Sequence, residues 1–181
     1  MAVAHLVRHT AVAARWLSRC YGRSDVALSG EGIAAARRRA QELAALDVEA
    51  VVTSPLRRAR VLAGRIALLK SLPLVIEPRL AECDFGSWEG RAWDDIWRET
   101  GNAMDGMIHA PDTYRPGGGE TTREMARRAY DWLDGLDRKA NVIAVCHGGP
   151  IAAIRGRLDG APVTEWLALI PAYGMATTIE L

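Results

Sequence analysis

A chain of 181 residues that is 49% hydrophobic can furnish one full core and would strain to make two independent domains. With 25% charged residues and a formal net charge of +1 it has no long-range field for nucleic acid or an anionic membrane, so any attraction for anions must be local. Cys20, Cys83 and Cys146 are odd in number and widely spaced, which speaks against a disulfide framework or a cysteine zinc site and for a reducing, cytoplasmic setting. No secretory leader or membrane span is expected. Of the 23 basic residues two are lysines, leaving 21 arginines, the side chain whose planar fork suits phosphate oxygens.

The first element is Val3 to Val7, a short apolar run read as a buried strand that stops on Arg8, His9 and Thr10. The irregular connection from Thr10 to Leu28, with Trp16, Tyr21, Gly22 and Arg23, leaves the sheet beside His9 and reads as a wall facing a substrate. Ser29 offers an N-cap for an amphipathic helix that runs to about Leu46. A second buried strand, Ala50 to Ser54, meets Pro55 and a helix with Leu56, Ala59, Ala63, Ile66 and Ala67 on one face and Arg57 and Arg58 at its opening. Leu74 to Glu77 is a third strand.

From there to Gly119 the pattern weakens. Trp88, Trp93 and Trp97 point first to packing, and Asn102 to Gly119 reads as part of a lid-like excursion, spanning about 83–120, without a stable period. The exposed aromatics between Ala92 and Trp97 leave room for a homodimer. Thr121-Thr122-Arg123-Glu124 is a capping box ahead of a helix bearing Met125, Ala129, Trp132, Leu133 and Leu136. Asn141 to Cys146 is the last central strand and ends on His147-Gly148-Gly149-Pro150; a helix from about Ile151 to Leu158 and an edge strand over Tyr173–Ile179 close the chain. Alternating strands and helices predict a three-layer α/β/α sandwich with a mostly parallel central sheet.

In such a sheet the carboxyl ends of the strands share one edge, where ligands bind. Arg8 and His9, Arg58, and His147 then surround one point, and a phosphate would balance their charge. Neighbouring guanidinium groups disfavour a protonated imidazole, so His9 is the expected nucleophile, forming a phosphohistidine that water hydrolyses. Arg8, Arg58 and His147 would steady the phosphoryl oxygens, with no metal or other cofactor called for. Glu82, Asp84 and Glu120 are the candidate proton donors, and spacing does not choose among them.

These motifs resemble the histidine phosphatase superfamily, also called phosphoglycerate-mutase-like, along nearly the whole chain. Arg8-His9-Thr10 looks like its opening motif and Ser54-Pro55-Leu56-Arg57-Arg58-Ala59 like its Ser-Pro-Leu-x-Arg-Ala, which puts the phosphate-binding arginine on Arg58 and not Arg57. The resemblance makes Glu82 the proton donor and His147 the second phosphate-binding histidine. Gly118-Gly119-Glu120 and His147-Gly148-Gly149 match the later motifs, so Glu120 and Gly148 join the expected substrate contacts. Thr10 stands where the family usually has glycine, which offers an extra hydroxyl donor toward phosphate. The stretch Cys20 to Val26 is similar to the alpha-ribazole phosphatase branch, making Tyr21, Gly22 and Arg23 contacts to an alpha-ribazole 5'-phosphate-like substrate, with Trp88 a further candidate. The implied activity is a metal-independent phosphomonoesterase for a small phosphorylated metabolite. The alternatives are a phosphoglycerate-mutase-type phosphoryl transferase and a non-catalytic phosphate-binding protein. His5 and His109 have no argument for function, and Cys83 and Cys146 should point away from the site as inert packing.

Overall fold

The computed structural model describes residues 2–181. Five strands form one sheet in the order β3-β2-β4-β1-β5. Here β1 (Val3–Arg8), β2 (Ala50–Thr53), β3 (Leu74–Ile76) and β4 (Val142–Cys146) run parallel, and β5 (Ala176–Glu180) joins β1 antiparallel at the edge. The register sets Arg8 opposite Cys146 and Thr53 opposite Val145, so the three central strands end at one level. The His9 amide donates to the Cys146 carbonyl at 3.1 Å and the Ser54 amide to the Val145 carbonyl at 3.0 Å, which carries that alignment one residue further.

The helices are α1 (Gly30–Ala44), α2 (Arg57–Lys70), α3 (Trp93–Thr100), α4 (Gly106–His109), α5 (Thr122–Asp134) and α6 (Gly148–Asp159). Strand residues alternate between two cores because successive side chains leave opposite faces of the sheet. Val7, Val51, Ile143 and Val145 pack with Ala36 and Ala40 of α1 and Leu62 and Ile66 of α2. Leu6, Val52, Ala144 and Cys146 pack with Ala129 and Trp132 of α5 and Ile151 and Ile154 of α6. The result is the three-layer α/β/α sandwich that the alternating pattern predicts, and the double burial explains why the parallel strands read as unbroken apolar runs.

Capping chemistry fixes where the helices begin. The Ser29 hydroxyl accepts the Gly32 amide at 2.9 Å, and Thr121 and Glu124 close a reciprocal box at 3.1 and 3.0 Å, each cap stabilising by about 1 kcal/mol. Four bounds shift from expectation: α1 stops at Ala44 and not Leu46, α5 stops at Asp134 before Leu136, α6 starts at Gly148, so Pro150 sits inside its first turn, and β5 starts at Ala176 and not Tyr173.

The excursion over residues 83–120 holds more regular structure than its sequence predicts: α3, α4 and three 3-10 turns, at Gly86–Trp88, Gly101–Asp105 and Pro116–Gly118. Helices of eight and four residues are too short for a hydrophobic period to register, and α3 ends where Gly101 turns to φ 58°. The root of the excursion is closed by bare backbone. A Cβ on Gly86 (φ 53°) would strike the Gly117 carbonyl, and one on Gly119 would strike the Asp84 carbonyl. The Glu120 amide donates to the Asp84 carbonyl at 2.8 Å across the same seam. Among the described residues no helix is long and apolar enough to cross a membrane.

Candidate active site

His9 follows the last residue of β1 and is only 2% exposed. Its Nδ1 lies 2.7 Å from the Thr10 carbonyl oxygen, which can only accept. Nδ1 therefore carries the ring proton, and Nε2 holds a free lone pair. The ring is held neutral, its pKa lowered to about 3, first by burial and then by the Arg58 guanidinium, with Arg8 adding less; the bond to Thr10 opposes them. Sequence reasoning credits the arginines with this neutrality, whereas desolvation is the larger cause.

His147 ends β4's run and is fully buried, its ring centroid 5.2 Å from that of His9. Burial again, followed by Arg58 and His9, lowers its pKa well below the ordinary range. Its Nε2 is 2.7 Å from the Ser54 hydroxyl, which accepts the Leu56 amide at 3.3 Å and has no other acceptor among the described residues for its own hydrogen, so that hydrogen goes to Nε2. That leaves Nδ1 as the N–H. Arg58, fully buried at the start of α2, donates to the Gly22 and Ser24 carbonyls at 2.5 and 2.7 Å and lies over Tyr21. Arg8 donates to the Pro171 carbonyl at 2.9 Å and stacks on Tyr173 at 4.1 Å. Arg57 is exposed, with only its amide engaged, on Asp25, as expected for the arginine that stays outside.

Buried side-chain nitrogens without a hydrogen-bond partner among the described residues are Arg8 Nε, Arg58 Nε, His147 Nδ1 and Trp16 Nε1. All but the last belong to this cluster. A buried donor left unsatisfied costs about 1–3 kcal/mol, so three in one place describe a site shaped for an acceptor-rich anion.

Glu82 reaches the same site from the segment after β3. Its carboxylate accepts the Cys83 amide at 3.0 Å and the Gly149 amide, in the first turn of α6, at 3.4 Å. A Cβ on Gly149 would strike that carboxylate, so glycine is what admits it. Behind Glu82, Arg128 of α5 donates to the carbonyls of Arg79, Ala81 and Glu82 at 2.7, 2.5 and 3.0 Å and forms a double ion pair with Glu120 at 2.8 and 2.9 Å. This clamp holds the backbone that presents Glu82.

The expected contacts divide. Tyr21 and Gly22 line a cavity of about 460 Å³ together with Arg8 and Glu82. Gly22 has no room for a side chain, since a Cβ would strike the Cys83 carbonyl, and Gly148 stands where a Cβ would meet Ile170 at 2.9 Å. Two expectations are corrected, those for Thr10 and Cys83, while Trp88 packs as its sequence context predicts. The Thr10 hydroxyl is buried and donates to the Gly32 carbonyl at 2.8 Å, tying β1 to α1 and not facing phosphate. Arg23 and Glu120 pair with each other at 3.5 Å, Arg128 holds Glu120 at 2.8 Å, and Arg23 Nε donates to the Glu82 carbonyl at 3.4 Å. Trp88 is buried with Cys20 and Ile96. Cys83 does line the cavity, though burial and the Glu82 and Glu120 charges push its thiol up and keep it protonated. Cys146 is fully buried, its thiol pushed up to about 12. Asp84 accepts the Gly86 amide at 2.8 Å, His5 pairs with the Thr178 hydroxyl at 2.9 Å, and His109 is exposed.

Sequence reasoning missed Tyr173, whose hydroxyl meets that of Tyr21 at 3.0 Å beside His9, and it missed the Arg128 clamp. No group of three or more His, Cys, Asp or Glu side chains among the described residues is placed to hold a metal ion.

Comparison with known proteins agrees with this geometry. A model of the histidine phosphatase superfamily (branch 1) matches residues 4–181. The glucosyl-3-phosphoglycerate phosphatase of Mycolicibacterium vanbaalenii is 30% identical over 179 residues, covering 91% of this chain and 76% of that one. A probable phosphoglycerate mutase of Erwinia tasmaniensis is 29% identical over 161 residues, covering 87% and 75%. The crystal structure of the alpha-ribazole phosphatase from Shigella flexneri superposes with a TM-score of 0.87 at 24% identity over 99% of this chain and 90% of that one, a likeness of fold.

Proposed function

Because this chain belongs to branch 1 of the histidine phosphatase superfamily, we propose that it is a phosphomonoester hydrolase that works through a phosphohistidine on His9. The observation that carries the reading is the set of three buried nitrogens without partners, on Arg8, Arg58 and His147, gathered around a neutral imidazole whose lone pair sits on Nε2. A binder of phosphate would need the donors but no nucleophile.

In the proposed reaction Nε2 of His9 attacks phosphorus and the bond to the leaving oxygen breaks, while Glu82 gives that oxygen a proton. Arg8, Arg58 and His147 hold the equatorial oxygens, where preformed donors in a water-poor pocket act most strongly. Water then attacks the phosphohistidine, its proton returns to Glu82, and inorganic phosphate leaves. No step asks for a metal. Within this class alpha-ribazole 5'-phosphate is the finer candidate, suggested by the 20–26 loop and supported by the place of Tyr21 and Gly22 on the cavity wall.

The test is release of inorganic phosphate from an aryl phosphate and from alpha-ribazole 5'-phosphate with a chelator present. Release that persists with chelator, disappears in His9→Ala and leaves acid-labile phosphate on His9 after quenching is the expected result. Interconversion of phosphoglycerates without phosphate release would replace this reading with a mutase, and phosphate capture without turnover would replace it with a binding protein.

A further inference from the structure

The cavity beside His9 has a chemistry of its own. Its polar lining is Arg8, Tyr21, Glu82 and Tyr173, the residues around the nucleophile, with Arg19, Asp105 and Thr122 elsewhere on the wall. The rest is largely apolar and comes chiefly from two segments. The excursion supplies Phe85, Trp93, Met104, Met107 and Ile108; the 3-10 stretch at Val163–Leu169 and its continuation supply Trp166 and Ile170.

Few of these wall groups could bind a polar substrate. The side chains of Ile108 and Ile170 offer neither donor nor acceptor, those of Met104 and Met107 only a weakly accepting sulfur, and the Trp166 indole N–H is already donated to the Ala161 carbonyl at 3.1 Å. Arg19, the one cation on the described wall besides Arg8, donates to the Gly90 carbonyl at 2.8 Å and is exposed. A substrate carboxylate or ammonium laid against the apolar stretch of this surface would lose water without gaining a partner there, whereas an apolar group gains from burial. Three methionines, Met104, Met107 and Met125, line the space, and their unbranched side chains adjust to ligands of differing shape. The volume of about 460 Å³ lies in the range of pockets that enclose a ligand much larger than phosphate.

We infer that the alcohol portion of the substrate carries an apolar aromatic or branched aliphatic group, and that this wall selects such an ester over small polar phosphate esters such as phosphorylated hydroxy acids or amino acids. The inference rests on the hydrolase reading, and it makes the excursion and the 163–170 segment the specificity surfaces of the enzyme.

The experiment is a kcat/KM series on the full-length protein with methyl, butyl and hexyl phosphate, 1-naphthyl phosphate, O-phosphoserine and 3-phosphoglycerate. Each added methylene should raise kcat/KM about fourfold, the fold-change that corresponds to roughly 0.8 kcal/mol per buried CH₂. 1-Naphthyl phosphate should exceed O-phosphoserine by about 100-fold. In Ile170→Thr and Met107→Gln, checked for a native circular dichroism spectrum and melting curve, that ratio should fall about tenfold, since the variants place hydrogen-bonding groups on the wall. A flat alkyl series, or preference for O-phosphoserine or 3-phosphoglycerate with phosphate release intact, would overturn the substrate class and leave the hydrolase reading standing. Absence of phosphate release from every ester would overturn both.

Discussion

The Ser54 hydroxyl stands 2.7 Å from His147 Nε2, so a residue at the end of β2 decides which nitrogen of a histidine at the end of β4 carries a proton. Ser54→Ala should remove that control and leave both Nε2 and the Leu56 amide without a partner in a buried place. An unsatisfied buried group costs about 1–3 kcal/mol, and tenfold in rate is about 1.4 kcal/mol, so kcat/KM should fall about ten- to a hundredfold. Steady-state kinetics beside a urea denaturation curve would check it, the kinetic loss exceeding any change in folded fraction.

The pH response follows from His9. Its pKa is lowered to about 3 in the folded protein from an ordinary 6.5, so between those values the unfolded chain binds more protons and stability falls as pH drops below 6.5. The slope should be about 1.4 kcal/mol per pH unit for this residue, with His147 adding in the same direction. Urea midpoints at pH 7 and pH 5 should differ accordingly, and His9→Gln should flatten the difference. Activity should behave otherwise. The free nucleophile stays unprotonated down to about pH 3, so an acid limb in kcat/KM near pH 6 should follow the second ionisation of the phosphate ester and persist unchanged in position when ring protonation is followed by NMR.

Arg58 joins two functions, since its terminal nitrogens hold the Gly22 and Ser24 carbonyls while Nε remains for the anion. Arg58→Lys keeps the charge and loses the fork. It should retain a folded protein yet lower kcat/KM by about a hundredfold, with weaker protection of the melting temperature by inorganic phosphate.

Glu82 and Arg128 should separate by leaving group. Glu82→Gln should slow hydrolysis of alkyl esters by roughly 10² to 10⁴, the usual contribution of a positioned acid, and affect a nitrophenyl ester far less because its leaving oxygen needs no proton. Arg128→Ala loosens the backbone under Glu82, so it should show the same leaving-group pattern at smaller amplitude, with kcat changing more than KM. A uniform loss across leaving groups would assign Arg128 to folding alone.

The central strands and the residues at their ends were legible because a buried parallel strand leaves a short apolar run in the chain, and each run here stops on a chemical group. The start of α5 was legible because its cap is made of local side chains. Arg128 was not, since its partners are carbonyls of Arg79, Ala81 and Glu82, which every residue possesses and no sequence distinguishes. Thr10 misled for a similar reason: its hydroxyl serves the Gly32 carbonyl, a contact set by how α1 packs on β1. Tyr173 lies in a turn ahead of β5, where neither period nor motif marks it as a neighbour of His9. The apolar wall stayed hidden because its residues are scattered over 3-10 turns and very short helices.

The glycine seam between residues 84–86 and 117–119 makes the excursion a cassette with a closed base. Residues 89–93 must stay, since Glu89 accepts the Arg23 amide and the Ser24 hydroxyl of the loop that holds Arg58, but beyond them the chain from Asp94 to Pro116 could be lengthened, shortened or exchanged while Glu82, anchored on the other side of the seam, stays in register with His9. An engineer could therefore graft a new recognition surface onto this scaffold and keep the hydrolytic machinery intact.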